Sequence, residues 1–244
     1  IFKKNNPDFV FHLAAQSLVK KSYDAPMLTF NTNSIGTLNL LESLRFMKKK
    51  CVIVVITSDK SYKNLELNRG YNEEDLLGGV DPYSASKACA ELVIKSYFNS
   101  FLNKNKNLKI AVARAGNVIG GGDWSQNRLV PDCIKSWTKK KPVIIRNPRS
   151  TRPWQHVLEV LSGYLILALK LQKNSKINGE AFNFGPKNFQ NKSVINLIQE
   201  IKKGLPNFKW KIKYTKNFYE SKLLKLNSQK AKKKLKWSNK LSFQ

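Results

Sequence analysis

The sequence predicts an α/β fold built on a doubly wound parallel sheet. Short runs of apolar, β-branched residues alternate with segments of helical periodicity through the first two-thirds of the 244 residues. The order strand, helix, strand, helix, strand requires crossover connections, which are right-handed and make neighbouring strands parallel. After Gly122 the pattern loosens without a linker-like boundary. We therefore expect a smaller, substrate-binding domain that interleaves with the first.

Each element rests on a local pattern. Residues 8–15 (DFVFHLAA) and 51–58 (CVIVVITS) are apolar runs typical of buried strands, and the second is apolar enough to be covered on both faces. Between them, 31–50 carries leucines at helical spacing and ends in lysines, which suit a helix C-terminus. A helix begins near Pro82, and 109–120 is a third strand. The later elements are a helix at 127–141, a strand and loop at 141–154, an apolar helix at 156–171, a strand at 179–186 and a Lys-rich remainder.

The usual opening of a dinucleotide-binding sheet is not found in the sequence. Such a sheet normally starts with a strand and a Gly-rich turn such as G-x-G-x-x-G. The segment GNVIGGGD has a different spacing and follows the third strand, and the sequence does not begin with Met. We therefore expect a fragment whose sheet lacks its first strands.

Composition narrows the classes of function. The formal net charge of +28 favours an anionic partner, but the lysines are widely spread and no nucleic-acid-binding motif accompanies them. No apolar run reaches the ~18 residues of a membrane span, and no signal peptide is visible. The three cysteines share no metal-ligand spacing and only two histidines are present, so no metal site is expected. We expect a cytoplasmic protein.

Polar or Gly-rich segments follow three of the predicted strands. They are LAAQS, TSDKSY and GNVIGGGDW. Ligands of doubly wound sheets bind beyond the carboxyl ends of the strands, and the start of the Pro82 helix lies on the same side. The sequence thus predicts a site at this edge of the sheet.

Tyr83 and Lys87 lie four residues apart near a helix start, and therefore on one helix face. A free phenol has a pKa of about 10, which must fall by roughly 3 units if it is to act as a base near neutrality. A neighbouring ammonium and the helix N-terminus both lower it. Alone, the pair is more typical of an exposed amphipathic surface. Ser58, just past the second strand, adds a hydroxyl that can hydrogen-bond a substrate oxygen.

Several motifs together resemble the extended short-chain dehydrogenase/reductase superfamily. They are HLAAQS, NTNSIGTLNLLE, TSDKSY, DPYSASKACAE and RAGNVIGGGDW. Within it, TSDK, GGGDW, RPWQHVLEVLSGYL and the tail ESKLLKLNSQKAKKKLKW are similar to the CDP-glucose 4,6-dehydratase family. The resemblance covers essentially the whole chain. It implies a Rossmann-type sheet, bound NAD, CDP-glucose as the nucleotide-sugar substrate, and a place in deoxysugar and lipopolysaccharide O-antigen biosynthesis.

The resemblance implies a lyase that removes water without net oxidation. Tyr83 would take the proton of the sugar 4-hydroxyl while C4 gives hydride to NAD. Lys87 would hold the tyrosinate and the nicotinamide ribose, and Ser58 would bond the 4-oxygen. Asp59 would protonate the departing 6-hydroxyl and Lys60 would take the C5 proton, after which the hydride returns to C6. Without the resemblance, the same SDK segment is typical of a loop start whose Asp accepts from backbone N–H groups.

Further residues are expected to contact the two ligands. For the cofactor these are Ala14, Ala15, Asn33, Thr57, Tyr83 and Lys87. For the substrate they are Gln16, Asn117, Arg128 and Arg152, among which the arginines suit a diphosphate. The alternative for Ala14 and Ala15 is that they pack in the core. The alternative for Asn33 is the ordinary occurrence of Asn at a helix start.

The expected domains interleave. The dinucleotide-binding domain takes 1–116 and about 153–186, and the sugar-nucleotide-binding domain takes about 117–152 and 187–244. A 4-epimerase or reductase of the same superfamily is the main alternative function, and it would not need the Asp59–Lys60 pair. A basic nucleic-acid-binding protein is the alternative from another class. The resemblance also implies a homodimer or tetramer at full length.

Overall fold

A four-stranded parallel sheet forms the centre of the protein. The computed structural model describes residues 2–186, 192–214, 223–241 and 243. The four strands are all parallel to their neighbours, which confirms the predicted α/β fold with a parallel sheet. In sheet order they are β1 (Phe9–His12), β2 (Cys51–Ile56), β3 (Leu108–Ala115) and β8 (Ala181–Phe184).

The sheet is covered on both faces, because alternate residues of each strand enter different cores. In β2, Val54 packs into one core and Ile53 into the other. Helix α7 (Val157–Lys173) covers the first face, and helices α4 (Gly36–Arg45) and α5 (Pro82–Ser100) cover the second. Each fully buried aliphatic side chain stabilises the fold by about 1.5–3 kcal/mol. The two-sided burial explains why β2 reads as a continuous apolar run rather than as an alternating one.

The segment predicted as a helix at 31–50 is the second part of a longer helix. It begins with α3 (Pro26–Phe30), passes through a π-helical turn at Asn31–Ile35 and continues as α4 to Arg45. Phe30 and Gly36, on either side of the turn, both keep right-handed helical angles. The helix is therefore unbroken, with one wider turn near its middle.

A second, smaller core lies beside the sheet. It contains Cys133, Val143, Ile145, Ile198 and Phe208. The predicted helix at 127–141 and strand within 141–154 are confirmed as two of its elements. These elements are α6 (Leu129–Thr138), β5 (Val143–Ile145), α8 (Val194–Gly204) and β10 (Trp210–Ile212), with β5 and β10 parallel. The assignment of residue ranges to two domains stays a prediction.

The first strand is shorter than the sequence pattern predicted. It ends at His12 rather than Ala15, because the chain then turns out of the sheet and the Gln16 backbone N–H binds the Asn33 side chain instead of a strand. Two short pairs of strands and two short helices were not predicted. They are β4 (Val118–Ile119) with β7 (Gln155–His156), β6 (Thr151–Arg152) with β9 (Lys192–Ser193), α1 (Phe2–Asn5) and α2 (Val19–Asp24).

Parts of the predicted Lys-rich remainder, 187–191 and 215–222, lie outside the described residues. Within the described ranges, no helix is long and apolar enough to cross a bilayer. The same ranges bring together no group of three or more His, Cys, Asp or Glu side chains that could hold a metal ion. The cellular compartment stays a prediction.

Candidate active site

A cavity of about 540 Å³ opens beyond the carboxyl ends of β2 and β3, between the sheet and the second core. Its volume lies within the range of small-molecule sites, about 300–1,000 Å³. Seven of the residues predicted for the site line its wall. They are Ser58, Asp59, Lys60, Tyr83, Asn117, Arg128 and Arg152. The edge of the sheet named by the topological rule is therefore where the cavity lies.

The start of α5 places Tyr83 in this wall. Asp81 caps the helix, accepting hydrogen bonds from the Ser84 backbone N–H at 3.0 Å and from its hydroxyl at 2.6 Å. Pro82 occupies the first turn, where its missing N–H costs no helical hydrogen bond. The Tyr83 N–H donates to Ser22 Oγ at 3.1 Å, which joins α5 to the short helix α2. These contacts fix the first turn and leave Tyr83 only 8% exposed.

The surroundings of Tyr83 favour its protonated form. Burial raises the pKa of the phenol to about 12, although a hydrogen bond with Ser58 and the charge of Arg128 act in the opposite direction. The charges of Asp59 and Asp81 add to the rise. A role as base thus requires further positive charge close to the phenol.

Lys87 lies one turn further along the same face of α5 and is 6% exposed. Burial lowers the pKa of its ammonium group to about 8, and the charge of Glu91 raises it in part. Its Nζ donates to the Ile56 carbonyl at 3.4 Å. Among the described residues this is its one hydrogen bond, so N–H donors remain for a ligand.

Ser58, Asp59 and Lys60 follow β2 in a single 3₁₀ turn that spans Asp59–Ser61. Ser58 caps the turn: its Oγ accepts from the Lys60 N–H at 3.2 Å and donates to Asp59 Oδ1 at 3.1 Å. The Ser61 N–H returns to the Ser58 carbonyl at 3.1 Å. Three side chains with different chemistry are thus presented from one tight segment.

Asp59 is an under-bonded buried carboxyl. It is 3% exposed, and its Oδ2 has no hydrogen-bond partner within the described part of the chain. Burial raises the pKa of the carboxyl to about 6, against the opposing charges of Lys60 and Arg152 and the Ser58 hydrogen bond. Gly116 lets the backbone beyond β3 lie close to the Asp59 carboxyl and to Pro153. A Cβ at this position would lie 3.2 Å from Asp59 Oδ2 and 2.4 Å from Pro153 Cγ. The carboxyl can hold a proton near neutral pH and release it to a ligand.

Two arginines give the cavity positive charge. Arg128 is about one-third exposed, and its guanidinium donates to Asp123 at 3.0 Å and to Ser17 at 2.7 Å. Arg152 is 7% exposed, and its charge lowers the pKa of Asp59. Asn117, half-buried, lies in the wall just beyond β3.

Residues 1–244 match the family model described as GDP-mannose 4,6 dehydratase. The chain belongs to this family.

Relatives agree with this family membership, and a solved structure agrees with the fold. A CDP-glucose 4,6-dehydratase of Salmonella typhimurium is 44% identical over 95% of this chain and 66% of its own length. A UDP-glucose 4-epimerase of Mycoplasma pneumoniae is 30% identical over 80% of this chain and 61% of its own length. A Bacillus anthracis dTDP-glucose 4,6-dehydratase, solved in complex with NAD, superimposes with a TM-score of 0.80 at 23% identity, covering 99% of this chain and 70% of its own. The chain therefore spans less than two-thirds of these curated relatives.

Six of the predicted site residues lie outside the cavity wall, and Lys87, described above, is one of them. Gln16 donates from Nε2 to Thr29 at 2.9 Å, and its Oε1 accepts from the Leu18 N–H. Asn33 donates to Ser86 Oγ at 2.9 Å and to the Gln16 carbonyl at 3.0 Å. The amides of Gln16 and Asn33 thus connect the end of β1 to α5. The other three are Ala14, which is exposed, Ala15, which is half-buried, and Thr57, whose hydroxyl binds Glu91.

Glu91 and Arg114 lie directly behind the site, and neither was predicted from the sequence. Glu91 is buried on the same helix face as Tyr83 and Lys87, and it pairs with the buried Arg114 of β3. The signal for Glu91 was its spacing, four residues beyond Lys87 and eight beyond Tyr83. Its partner lies on another element, and no local pattern joins the two.

Proposed function

We propose that the chain catalyses the NAD-dependent removal of water from a nucleotide-activated hexose, converting CDP-glucose to CDP-4-keto-6-deoxyglucose. The observation that carries the proposal is the buried Asp59 in the same wall as Tyr83, with a raised pKa and one oxygen that has no hydrogen-bond partner among the described residues. A plain dehydrogenase or epimerase needs only the Tyr83 half of this arrangement. A dehydratase also needs an acid that can protonate a leaving hydroxyl.

The described residues fit a nicotinamide cofactor on one side. The Lys87 ammonium is buried and, within the described part of the chain, makes one long hydrogen bond, to Ile56; it keeps donors that suit the two hydroxyls of a ribose. The small side chains of Ala14 and Ala15 follow β1 where a flat ring could approach. The solved Bacillus anthracis dehydratase of the same fold contains NAD. When bound, NAD supplies a hydride acceptor and a positive charge beside the phenol of Tyr83.

In the first half of the reaction, Tyr83 removes the proton of the sugar 4-hydroxyl. Ser58, which hydrogen-bonds Tyr83, orients the same oxygen. With Lys87 in place the pKa of the phenol is still about 12, so the further lowering would come from the positive charge of bound NAD. Loss of this proton together with the C4 hydride, which bound NAD would accept, leaves a 4-ketone that makes the hydrogen on C5 acidic.

In the second half, Asp59 and Lys60 divide the elimination. Asp59, with its pKa raised to about 6, gives its proton to the departing 6-hydroxyl. Lys60 lies beside it in the cavity wall and takes the proton from C5. It gives this proton back to C5 when the hydride returns to C6, which leaves the 4-keto-6-deoxy sugar. Because the two come from one 3₁₀ turn, their separation is fixed by the backbone rather than by long flexible loops.

The substrate class follows from charge and from the relatives. Arg128 and Arg152 provide guanidinium groups for a diphosphate, and Arg forms bidentate hydrogen bonds with phosphate oxygens. The Salmonella relative that supports cytidine as the base is a CDP-glucose 4,6-dehydratase with 44% identity. Trp124 is 61% exposed at the cavity and offers an aromatic face to the base.

The experiment that tests the proposal uses CDP-glucose carrying deuterium at C4, incubated with the chain and NAD. A dehydratase moves the deuterium to C6 and gives a product that is lighter by one water, whereas an epimerase leaves the label at C4 and the mass unchanged. NMR and mass spectrometry distinguish these two results. UDP-, dTDP- and GDP-glucose, assayed in parallel, report the choice of nucleotide.

The variant Lys60→Ala tests whether Lys60 acts in the elimination and not in the oxidation at C4. If Lys60 acts only at C5, this variant still oxidises C4, seen as transient NADH absorbance, while the 6-deoxy product is lost. Equal loss of both signals contradicts the role given to Lys60, and retention of label at C4 in the unchanged chain contradicts the dehydratase.

A further inference from the structure

Glu91 is a buried charge that the proposed reaction does not use. It is 4% exposed, lies on α5 behind Lys87 and does not line the cavity. Its charge raises the pKa of Lys87 against the effect of burial, so it already influences one residue of the site. Burying a carboxylate is costly unless it is paired and hydrogen-bonded, and its partners show what it holds.

Two of the hydrogen-bond partners of Glu91 flank the segment that contains Asp59 and Lys60. Thr57 donates its hydroxyl to Glu91 Oε1 at 2.7 Å. The Ser61 hydroxyl lies 2.8 Å from the same oxygen and 2.6 Å from the Ser58 carbonyl, so its one proton is shared between Glu91 and the segment itself. Residues 58–60 lie between these two attachment points. The carboxylate therefore closes a loop of five residues against the side of α5.

Arg114 fixes the carboxylate from the opposite side. Its Nε lies 2.8 Å from Glu91 Oε1 and 2.9 Å from Oε2, and Nη2 makes a further short contact with Oε2. Nη1 donates to the Tyr62 hydroxyl at 2.7 Å, and that hydroxyl donates to Asn183 of β8 at 2.8 Å. The ion pair and its hydrogen bonds thus connect α5, β3 and β8, and they include Tyr62, the residue that follows the 57–61 segment. A buried pair of this kind is weak evidence for stability in itself, but it can select one arrangement over others.

We propose that Glu91 is a positioning residue, which holds the 57–61 segment through Thr57 and Ser61 so that Ser58, Asp59 and Lys60 face the cavity. The catalytic consequence rests on the function proposed above for those three residues. The structural consequence, an ordered segment, does not depend on it.

The test removes the two hydroxyls and leaves the ion pair intact. In Thr57→Val and Ser61→Ala, singly and together, Glu91 keeps its hydrogen bonds to Arg114, so no buried charge loses its partner. Thr37→Val is the matched control, because Thr37 is also a buried threonine whose hydroxyl donates at 2.7 Å, in this case to the Asn33 carbonyl within its own helix. Thr57→Ser restores a hydroxyl at the tested position.

The first measurement is hydrogen exchange of the peptide that covers 57–62 in the whole chain. We expect its amides to exchange roughly tenfold faster in each single variant and about a hundredfold faster in the double variant, since each lost hydrogen bond to a charged group opens the segment by about tenfold. Thr37→Val should leave exchange in 57–62 unchanged, and Thr57→Ser should restore most of the protection lost in Thr57→Val. Unchanged exchange in the double variant would overturn the positioning role.

The second measurement separates kcat from KM with the nucleotide sugar. A misplaced acid and base slow the chemical steps while the distant nucleotide contacts survive, so kcat should fall roughly tenfold or more with KM nearly constant. Faster exchange with an unchanged kcat would overturn the proposal, because the ordered segment would then not matter for the reaction. If the unchanged chain shows no turnover at all, the proposed function fails, and hydrogen exchange still decides whether Glu91 holds the segment.

Discussion

Two buried carboxyl groups lie on opposite sides of the same short segment, and they differ in the partners they have. Asp59, on the cavity side, is 3% exposed and keeps one oxygen without a partner in the described part of the chain. Glu91, on the helix side, is 4% exposed and accepts hydrogen bonds from Arg114, Thr57 and Ser61. Equal burial therefore leads to different chemistry: the under-bonded group can exchange a proton, and the fully bonded group holds its neighbours in place.

The largest expected effect comes from replacing Asp59, on the cavity side, by a residue that cannot donate a proton. Asp59→Asn keeps the size and the Ser58 contact but has no acidic proton, so the elimination should slow by about 10²–10⁴-fold, as for loss of a general acid. Steady-state release of the 6-deoxy product measures it. A variant that keeps full turnover would contradict the assignment of Asp59 as the acid.

The same variant should change how stability depends on pH. Burial raises the pKa of Asp59 from 3.8 to about 6, so the folded state binds this proton more tightly than the unfolded chain does. Its contribution to the free energy of unfolding is fully present below pH 3.8 and is lost as the pH rises through about 6. Urea titrations from pH 4 to 7 should therefore show the wild type losing stability relative to Asp59→Asn, and parallel curves would contradict the raised pKa.

The next largest effect is expected from changing the partner of Glu91, the carboxylate on the helix side. Arg114→Met leaves Glu91 buried without its cation, which should lower the free energy of unfolding by about 3–5 kcal/mol. Arg114→Met combined with Glu91→Gln removes both charges, and most of the stability should return. Denaturant titration of both variants gives the comparison, and equal destabilisation would mean that the charge balance of this pair is not what matters.

The smallest effect concerns the wall around Asp59. Gly116→Ala places a methyl group 2.4 Å from Pro153 Cγ and 3.2 Å from Asp59 Oδ2, and the rigid ring cannot move aside easily. Overpacking of this kind costs about 1–3 kcal/mol. Gly204→Ala is the control, since a Cβ there meets nothing within 4 Å. Thermal unfolding should separate the two, and equal melting temperatures would show that the wall yields.

The parts of the fold that local patterns encode could be predicted from the sequence. The β-branched run of β2 and the Tyr83–Lys87 spacing gave the parallel sheet and one face of the site, and the motif resemblance gave the family; fold and family are confirmed. The ion pair of Glu91 with Arg114 could not be predicted, because its two residues lie on different elements and meet only after folding.

Gln16 stays a predicted site residue, although its side chain already has partners within the chain. It follows a strand at the expected edge, so the topological rule includes it, yet its amide is taken up by Thr29 and Leu18. Side-chain direction beyond a strand end depends on how the chain turns, and the sequence does not encode that locally. The individual site roles, the domain limits and an assembly of two or four copies stay predictions.

The π-helical turn at Asn31–Ile35 has a consequence for how this chain tolerates change in length. A wider turn accommodates one residue more than a regular helix would, and each residue of an α-helix rotates the chain by about 100°. Deleting one residue there would let the turn tighten to a regular α-helical one, so Leu41 and Leu44 would stay packed against the sheet and the preceding part of the helix would keep its orientation. The same deletion in the regular turns of α4 would rotate one end of the helix by about 100° relative to the other. A deletion within Asn31–Ile35 that spares Asn33, which binds Gln16 and Ser86, should thus be tolerated better than a deletion in α4.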